Sequence, residues 1–324
     1  MKLFRGPIIG LTAFVSIGAL IVATQAIAGD LKPIEIPGDQ AYPESMSAAS
    51  DGTIYISSLA SGGVARVKPG ASKAEMWIKP GAFDTRSTFG VLVDEPSKTL
   101  WVCSNDVSSL GVPGPSNVTG AYLKGFDLAT GEGKLSAAFP GKATICNDMV
   151  VAPDGTVYVT NTAAPQILRL KPGAKELEVW VENGLLVPKN GAGLDGIALG
   201  SDGNLYVNTY GGGEFFRIDV KDGAPGAVTK LATSRPLKFP DALRQLNGNT
   251  FLMVEGAGTL DRVIVDGDKV TIENLKDGLI GPTSLAKVGS TVWVGEGQLN
   301  HLFSPKENGP PKLPFQAVPV TIGD

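Results

Sequence analysis

Six times along this chain a run of β-branched and aromatic residues follows a tight polar turn, and that recurrence limits the fold more than any other feature. Asp51-Gly-Thr-Ile-Tyr-Ile-Ser57, Asp154-Gly-Thr-Val-Tyr-Val-Thr160, Ser201-Asp-Gly-Asn-Leu-Tyr-Val207 and Asn247-Gly-Asn-Thr-Phe-Leu-Met253 are close copies. Ser97-Lys-Thr-Leu-Trp-Val102 and Gly289-Ser-Thr-Val-Trp-Val294 are looser ones. Asp-Gly and Asn-Gly supply the positive φ of a hairpin turn. The following residues alternate as a strand does, with Ile, Val, Leu or an aromatic on the packing faces.

A short apolar strand precedes most of these turns, as in Met149-Val-Val-Ala152 and Ile197-Ala-Leu199. A third strand follows, as in Val64-Ala-Arg-Val67, Ile167-Leu-Arg-Leu170 and Phe215-Phe-Arg-Ile218, and then a fourth, as in Glu75-Met-Trp-Ile78 and Leu177-Glu-Val-Trp-Val181. With 42 glycines and 23 prolines, the chain leaves little room for long helices. Four-stranded units at blade-like spacing predict an all-β, six-bladed β-propeller, in which six units in a ring bury one another's faces. Ring closure has two candidates. Pro33-Ile-Glu-Ile-Pro37 and the tail Phe315-Gln-Ala-Val-Pro-Val320 compete for the last strand of blade six.

The chain begins with Lys2 and Arg5, an apolar run from Pro7 to about Thr24, and the small residues Ala26-Ile-Ala28. This pattern predicts a signal peptide over residues 1–28, a single propeller domain over 29–324, and a periplasmic or secreted product. No later segment is long and apolar enough to span a bilayer, so no membrane association is expected after cleavage. Lys2 and Arg5 are the only charges in residues 1–28, so their removal takes the net charge from −4 to −6. An acidic chain without a basic cluster is a poor partner for nucleic acid. Cys103 and Cys146 are either a disulfide or two buried thiols, and are too few for a thiolate metal site.

The chemistry gathers where each first strand opens. Asp51-Gly52 follows Glu44 at the same offset as Asp154-Gly155 follows Asn147 and Asp202-Gly203 follows Asp195. Asp241 precedes Asn247-Gly248 by one residue fewer. Equal offsets mean equivalent places, and first strands line the channel of a propeller. A lone acid there would cap a turn by accepting backbone N–H bonds. Four oxygen-bearing side chains at matching registers, three of them carboxylates, call instead for a cation. The set Glu44, Asn147, Asp195 and Asp241 holds only hard oxygens, which suits Ca2+ and leaves other divalent cations open.

Tyr42-Pro-Glu-Ser45, Cys146-Asn-Asp-Met149, Gly193-Leu-Asp-Gly-Ile-Ala198 and Phe239-Pro-Asp-Ala242 resemble the corresponding segments of the gluconolactonase and senescence marker protein (regucalcin) family, which includes luciferin-regenerating enzymes and has diisopropylfluorophosphatase as a cousin. The resemblance implies one calcium in the channel, bound by blades one, three, four and five. It also implies lactone hydrolysis, with the metal polarising the carbonyl and Asp241 as general base. Asp195 departs from the family, where Asn is frequent. The cousins carry channel histidines, whereas the single histidine here, His301, is placed in blade six as a strand residue. A His-based triad is therefore excluded.

Second strands run back toward the same mouth, so Asn105, Asn161, Tyr210, Glu255 and Glu296 are expected near the metal, with Arg86 just before the channel strand of blade two. Several Asn and Glu side chains suit a polyhydroxylated small-molecule substrate such as a sugar lactone. Two other readings stay open: a non-catalytic binding propeller with structural calcium, and phosphotriester hydrolysis on the same scaffold.

Overall fold

The computed structural model describes residues 1–3 and 31–323, and the predicted signal peptide lies almost wholly outside them. The chain divides after Leu31, and Lys32–Asp324 is one compact unit. That unit is a ring of six antiparallel sheets, the six-bladed β-propeller expected.

Blade one is Pro43–Ala48, Ile54–Ser58, Val64–Val67 and Glu75–Ile78 in sheet order, and the next three blades repeat the pattern from Ser87, Cys146 and Leu194. The hairpin turns form as their residues dictate. Asp51, Asp154 and Asp202 each accept the N–H two residues on, at 2.8, 2.9 and 3.1 Å. The glycine between adopts φ of 87°, 84° and 80° respectively. The second strands of blades one, three and four are buried along their whole length, because neighbouring blades cover both faces. An aromatic pair recurs in that packing: Tyr55 against Trp77 at 5.0 Å in blade one, and Tyr158 against Trp180 at 4.8 Å in blade three.

The two segments competing for blade six are both used. The tail, Phe315–Thr321, is the third strand, and Ile34–Ile36 adds to it as the fourth, with Ile34 opposite Ala317 and Ile36 opposite Phe315. The closing strand also reaches blade one, since Glu35 donates to the Ser72 carbonyl at 2.9 Å and accepts from Ala74 at 2.8 Å. Blade five gains a fifth strand, Ala232–Thr233, which runs parallel to Lys269–Lys276 on its outer edge. His301 is not on a strand. It lies in a short helix, Leu299–Phe303, inserted between the second and third strands of blade six, with Nδ1 3.1 Å from the Gly309 carbonyl oxygen.

Cys103 and Cys146 are joined as a disulfide, with Cα atoms 5.2 Å apart. It ties the second strand of blade two to the first strand of blade three, one residue before Asn147. Closing a loop over a separation of 43 residues is worth about 4 kcal/mol of unfolded-state entropy. Replacing both cysteines by alanine is therefore expected to lower the unfolding free energy by about that much. Urea denaturation checks this, and an unchanged midpoint would contradict it.

Candidate functional site

Each candidate ligand sits at a break in its ladder. Blade one skips from the Pro43–Ser58 pair to Met46–Ile56, leaving Glu44 and Ser45 in a β-bulge. The same bulge holds Asn147 and Asp148 in blade three, Asp195 and Gly196 in blade four, and Asp241 and Ala242 in blade five. Blade two carries Phe89 and Gly90 there, and blade six carries Thr283. A bulge re-aims a side chain out of strict alternation. Here it turns the first bulged residue of several blades into the channel. The second must be small where the next blade presses in. A Cβ on Gly90 would collide with the carbonyl oxygen of Asn147, and one on Gly196 with that of Asp241.

Glu44, Asn147, Asp195 and Asp241 line one cavity of about 10 Å³, together with Ser45, Gly90, Asp148, Ala242 and Thr283. All four expected ligands are thus brought to a common point, and each is at least nine-tenths buried. Burial, then the charges of Asp195 and Asp148, raise the Glu44 carboxyl well above the usual range. Burial, then Asp195 and Glu44, do the same to Asp241. Asp195 is pushed up to about 7 by burial and Asp148, and is held back by hydrogen bonds from Asp241 and Asn147. Among the described residues, no three His, Cys, Asp or Glu side chains stand close enough together to grip one ion as placed. The Asp195 carboxylate raises the proton affinity of Asp241.

The donor chemistry nonetheless fits a hard cation: three buried acids and one amide, with no nitrogen or sulfur ligand. The amide is already oriented. Thr162 Oγ1 donates to the Leu194 carbonyl at 2.6 Å and so accepts from Asn147 Nδ2 at 2.9 Å. Asn147 Nδ2 also donates to Asp195 at 3.2 Å, and its Oδ1 carries neither bond.

At the cavity wall lies an ion pair that the sequence did not reveal. Arg244, from the first strand of blade five, donates to both oxygens of Asp148 of blade three at 2.6 and 3.0 Å. It also reaches Ser45 Oγ of blade one at 3.5 Å. One positive charge is therefore already matched to Asp148, and the other three acids share no comparable partner. Asp148 stands beside Asn147 in the motif, but only the depth of Arg244 in the channel, which sequence does not show, brings the two together.

Five of the six expected substrate residues hydrogen-bond within the protein. Asn105 bonds both the N–H and the C=O of Cys146, at 2.9 and 2.8 Å. Asn161 accepts from Ile145 at 3.0 Å and donates to the Ala143 carbonyl at 3.0 Å. Glu296 accepts the N–H of Ile280 at 2.9 Å, and Glu255 accepts that of Lys238 while pairing with Arg235 at 2.6 Å. Each of these four sits at the end of its second strand and clips backbone leading toward a neighbouring first strand. Arg86 anchors the loop after the second strand of blade two through the Pro113 and Val118 carbonyls, at 2.7 and 2.9 Å, and through Asp106 at 2.9 Å. The sixth, Tyr210, packs its ring 5.4 Å from that of Phe239, and burial, then the charges of Asp241 and Asp195, push its hydroxyl pKa up.

No protein-family profile and no curated protein matches the sequence. Solved structures do resemble the fold. A gluconolactonase from Xanthomonas campestris superposes with a TM-score of 0.61 at 18% identity, over 82% of this chain and 92% of that one. A virginiamycin B lyase from Staphylococcus aureus gives 0.58 at 15%, over 81% and 80%. A PQQ-bound aldose sugar dehydrogenase from Streptomyces coelicolor gives 0.61 at 13%, over 90% and 97%. Identities this low establish the propeller architecture, a scaffold that carries unrelated chemistries.

Breaking the Arg244–Asp148 pair from one side leaves a buried charge without a partner. Arg244→Met is expected to destabilise by about 3–5 kcal/mol. Adding Asp148→Leu should restore much of the loss, as read by urea denaturation of both variants. Equal destabilisation by the single and double variants would contradict the pairing.

Proposed function

We propose that this propeller is a divalent-cation-dependent hydrolase of small lactones, with Ca2+ as the resident ion, acting outside the cytoplasm after removal of residues 1–28. The observation that carries this reading is the convergence of Glu44, Asn147, Asp195 and Asp241 on one buried cavity. Three mutually repelling acids there are balanced by a dication better than by protons at neutral pH. A gluconolactonase among the structures with this fold supports the lactone assignment. The inter-blade disulfide supports an oxidising compartment.

Glu44, Asn147, Asp195 and Asp241 would hold the ion, with the Asn147 amide oxygen preset by Thr162. When bound, a divalent cation polarises a carbonyl oxygen and offsets the negative charge that develops on it. The protein's own part in the reaction is proton handling and position. Asp241 takes a proton from the attacking water as its oxygen bonds to the carbonyl carbon. The ring acyl–oxygen bond then breaks, and the departing oxygen takes up a proton to give the hydroxy acid. The confined cavity limits the water that reaches Asp241.

A lyase reading has less support. A catalytically inactive variant of the staphylococcal lyase carries alanine in place of a histidine. Here the single histidine, His301, does not line the acid cavity.

Dialysis against a chelator is expected to abolish lactone hydrolysis in a pH-stat assay, and added Ca2+ to restore it. Full turnover in excess chelator would refute the mechanism, and cation binding without turnover would leave a structural ion in a binding protein. Asp241→Asn is expected to lower kcat by about 10²-fold or more while leaving the fold intact by circular dichroism. An active Asp241→Asn protein would remove the base assignment.

A further inference from the structure

The residue two before the channel acid has the same unusual backbone in two blades. Tyr42 precedes Pro43 and Glu44 with φ 41°, and Phe239 precedes Pro240 and Asp241 with φ 59°. Blade six meets the same demand with Gly281 before Pro282, at φ 50°. A bulky side chain in this left-handed region is strained and needs a reason. For Tyr42 the reason is burial: it is 4% exposed and packs on Phe315 at 4.9 Å. Phe239 has no such return, being 52% exposed. Its ring lies 5.4 Å from that of Tyr210, the residue whose hydroxyl feels Asp241 and Asp195.

The pair is built rather than incidental. Tyr210 is held by its N–H to the Gly193 carbonyl at 3.0 Å, two residues before Asp195. Phe239 accepts the N–H of Gly256 at 2.7 Å, two residues before Asp241. A Cβ on Gly256 would stand 3.2 Å from the Tyr210 hydroxyl and 3.3 Å from the Phe239 Cβ, so glycine leaves room for both side chains. The polar side chains that would recognise sugar hydroxyls, Asn105, Asn161, Glu255 and Glu296, are committed to backbone groups.

We propose that Tyr210 and Phe239 form a seat for an apolar or aromatic group of the substrate, so that the lactones taken by this site carry a hydrocarbon substituent rather than a set of hydroxyls. This rests on the hydrolase reading for its reaction but not for its binding surface. A half-buried tyrosine and an exposed phenylalanine, each anchored by backbone two residues from a cavity acid, favour a ligand with a reactive polar end and an apolar remainder.

The test compares γ-butyrolactone, its pentyl-substituted homologue γ-nonalactone and glucono-δ-lactone, with wild-type, Phe239→Asn and Phe239→Leu proteins. Asparagine tolerates the left-handed backbone, and Phe239 is largely exposed, so the fold is retained. The wild type is expected to favour γ-nonalactone over γ-butyrolactone by at least about tenfold in kcat/KM. Phe239→Asn should reduce that ratio to below about threefold, and Phe239→Leu should keep most of it. A second arm measures calorimetric binding of 2-pentylcyclopentanone, a ketone that cannot be hydrolysed, to wild type and Phe239→Asn. Weaker binding by Phe239→Asn supports the seat even if no lactone is turned over, in which case only the hydrolase reading fails. A preference for glucono-δ-lactone, a ratio untouched by Phe239→Asn, or a wild type that does not bind the ketone overturns the proposal.

Discussion

Carboxylic acids that share a closed channel cannot all ionise without a counter-charge, and the ring of blades is arranged so that Glu44, Asp195 and Asp241 must share one. Each comes from a different blade, and each is aimed inward by a bulge at the mouth end of its first strand. The repulsion is written into their proton affinities, which burial and mutual charge raise together. A fold that tolerates such a cluster at its centre does so because the surrounding apolar layers between blades supply the stability. The cluster itself is free to serve binding or chemistry.

The shell around the acids has its own division of labour. Arg244 of blade five pairs with Asp148 of blade three and matches one of the negative charges at the cavity wall. Thr162 fixes which end of the Asn147 amide is the acceptor. The Cys103–Cys146 disulfide holds blade three against blade two one residue before Asn147. Gly90 and Gly196 let neighbouring backbones approach, because any side chain there would meet a carbonyl oxygen. Position, orientation and counter-charge are thus handled by different residues, nearly all of them on strands, with Thr162 just past the end of one.

Much of this was legible in the sequence where local chemistry decides the outcome. The Asp-Gly turns needed positive φ, and the strands after them needed two covered faces, so the six blades followed. That Glu44, Asn147, Asp195 and Asp241 meet at one cavity was legible from their matching offsets to those turns, one residue shorter for Asp241. Ring closure was not legible, because two segments had equal claim to an edge and the fold used both, Phe315–Thr321 inside Ile34–Ile36. The internal bonds of the expected substrate residues were not legible, for a general reason. A polar side chain at the top of a second strand sits beside unpaired backbone groups of the neighbouring loop, and Asn105, Asn161, Glu255 and Glu296 satisfy those groups instead of facing the channel. Arg244 was invisible because its role depends on depth along the channel. The helix around His301 was missed because an insertion leaves no trace in a strand repeat.

The most direct measurement is a crystal structure of the protein grown with Ca2+, using anomalous scattering to locate the ion. The account predicts a single site inside the ring, with oxygens of Glu44, Asn147, Asp195 and Asp241 at about 2.3–2.6 Å. An acid cavity without an ion under saturating Ca2+, or an ion bound by other residues, would contradict it.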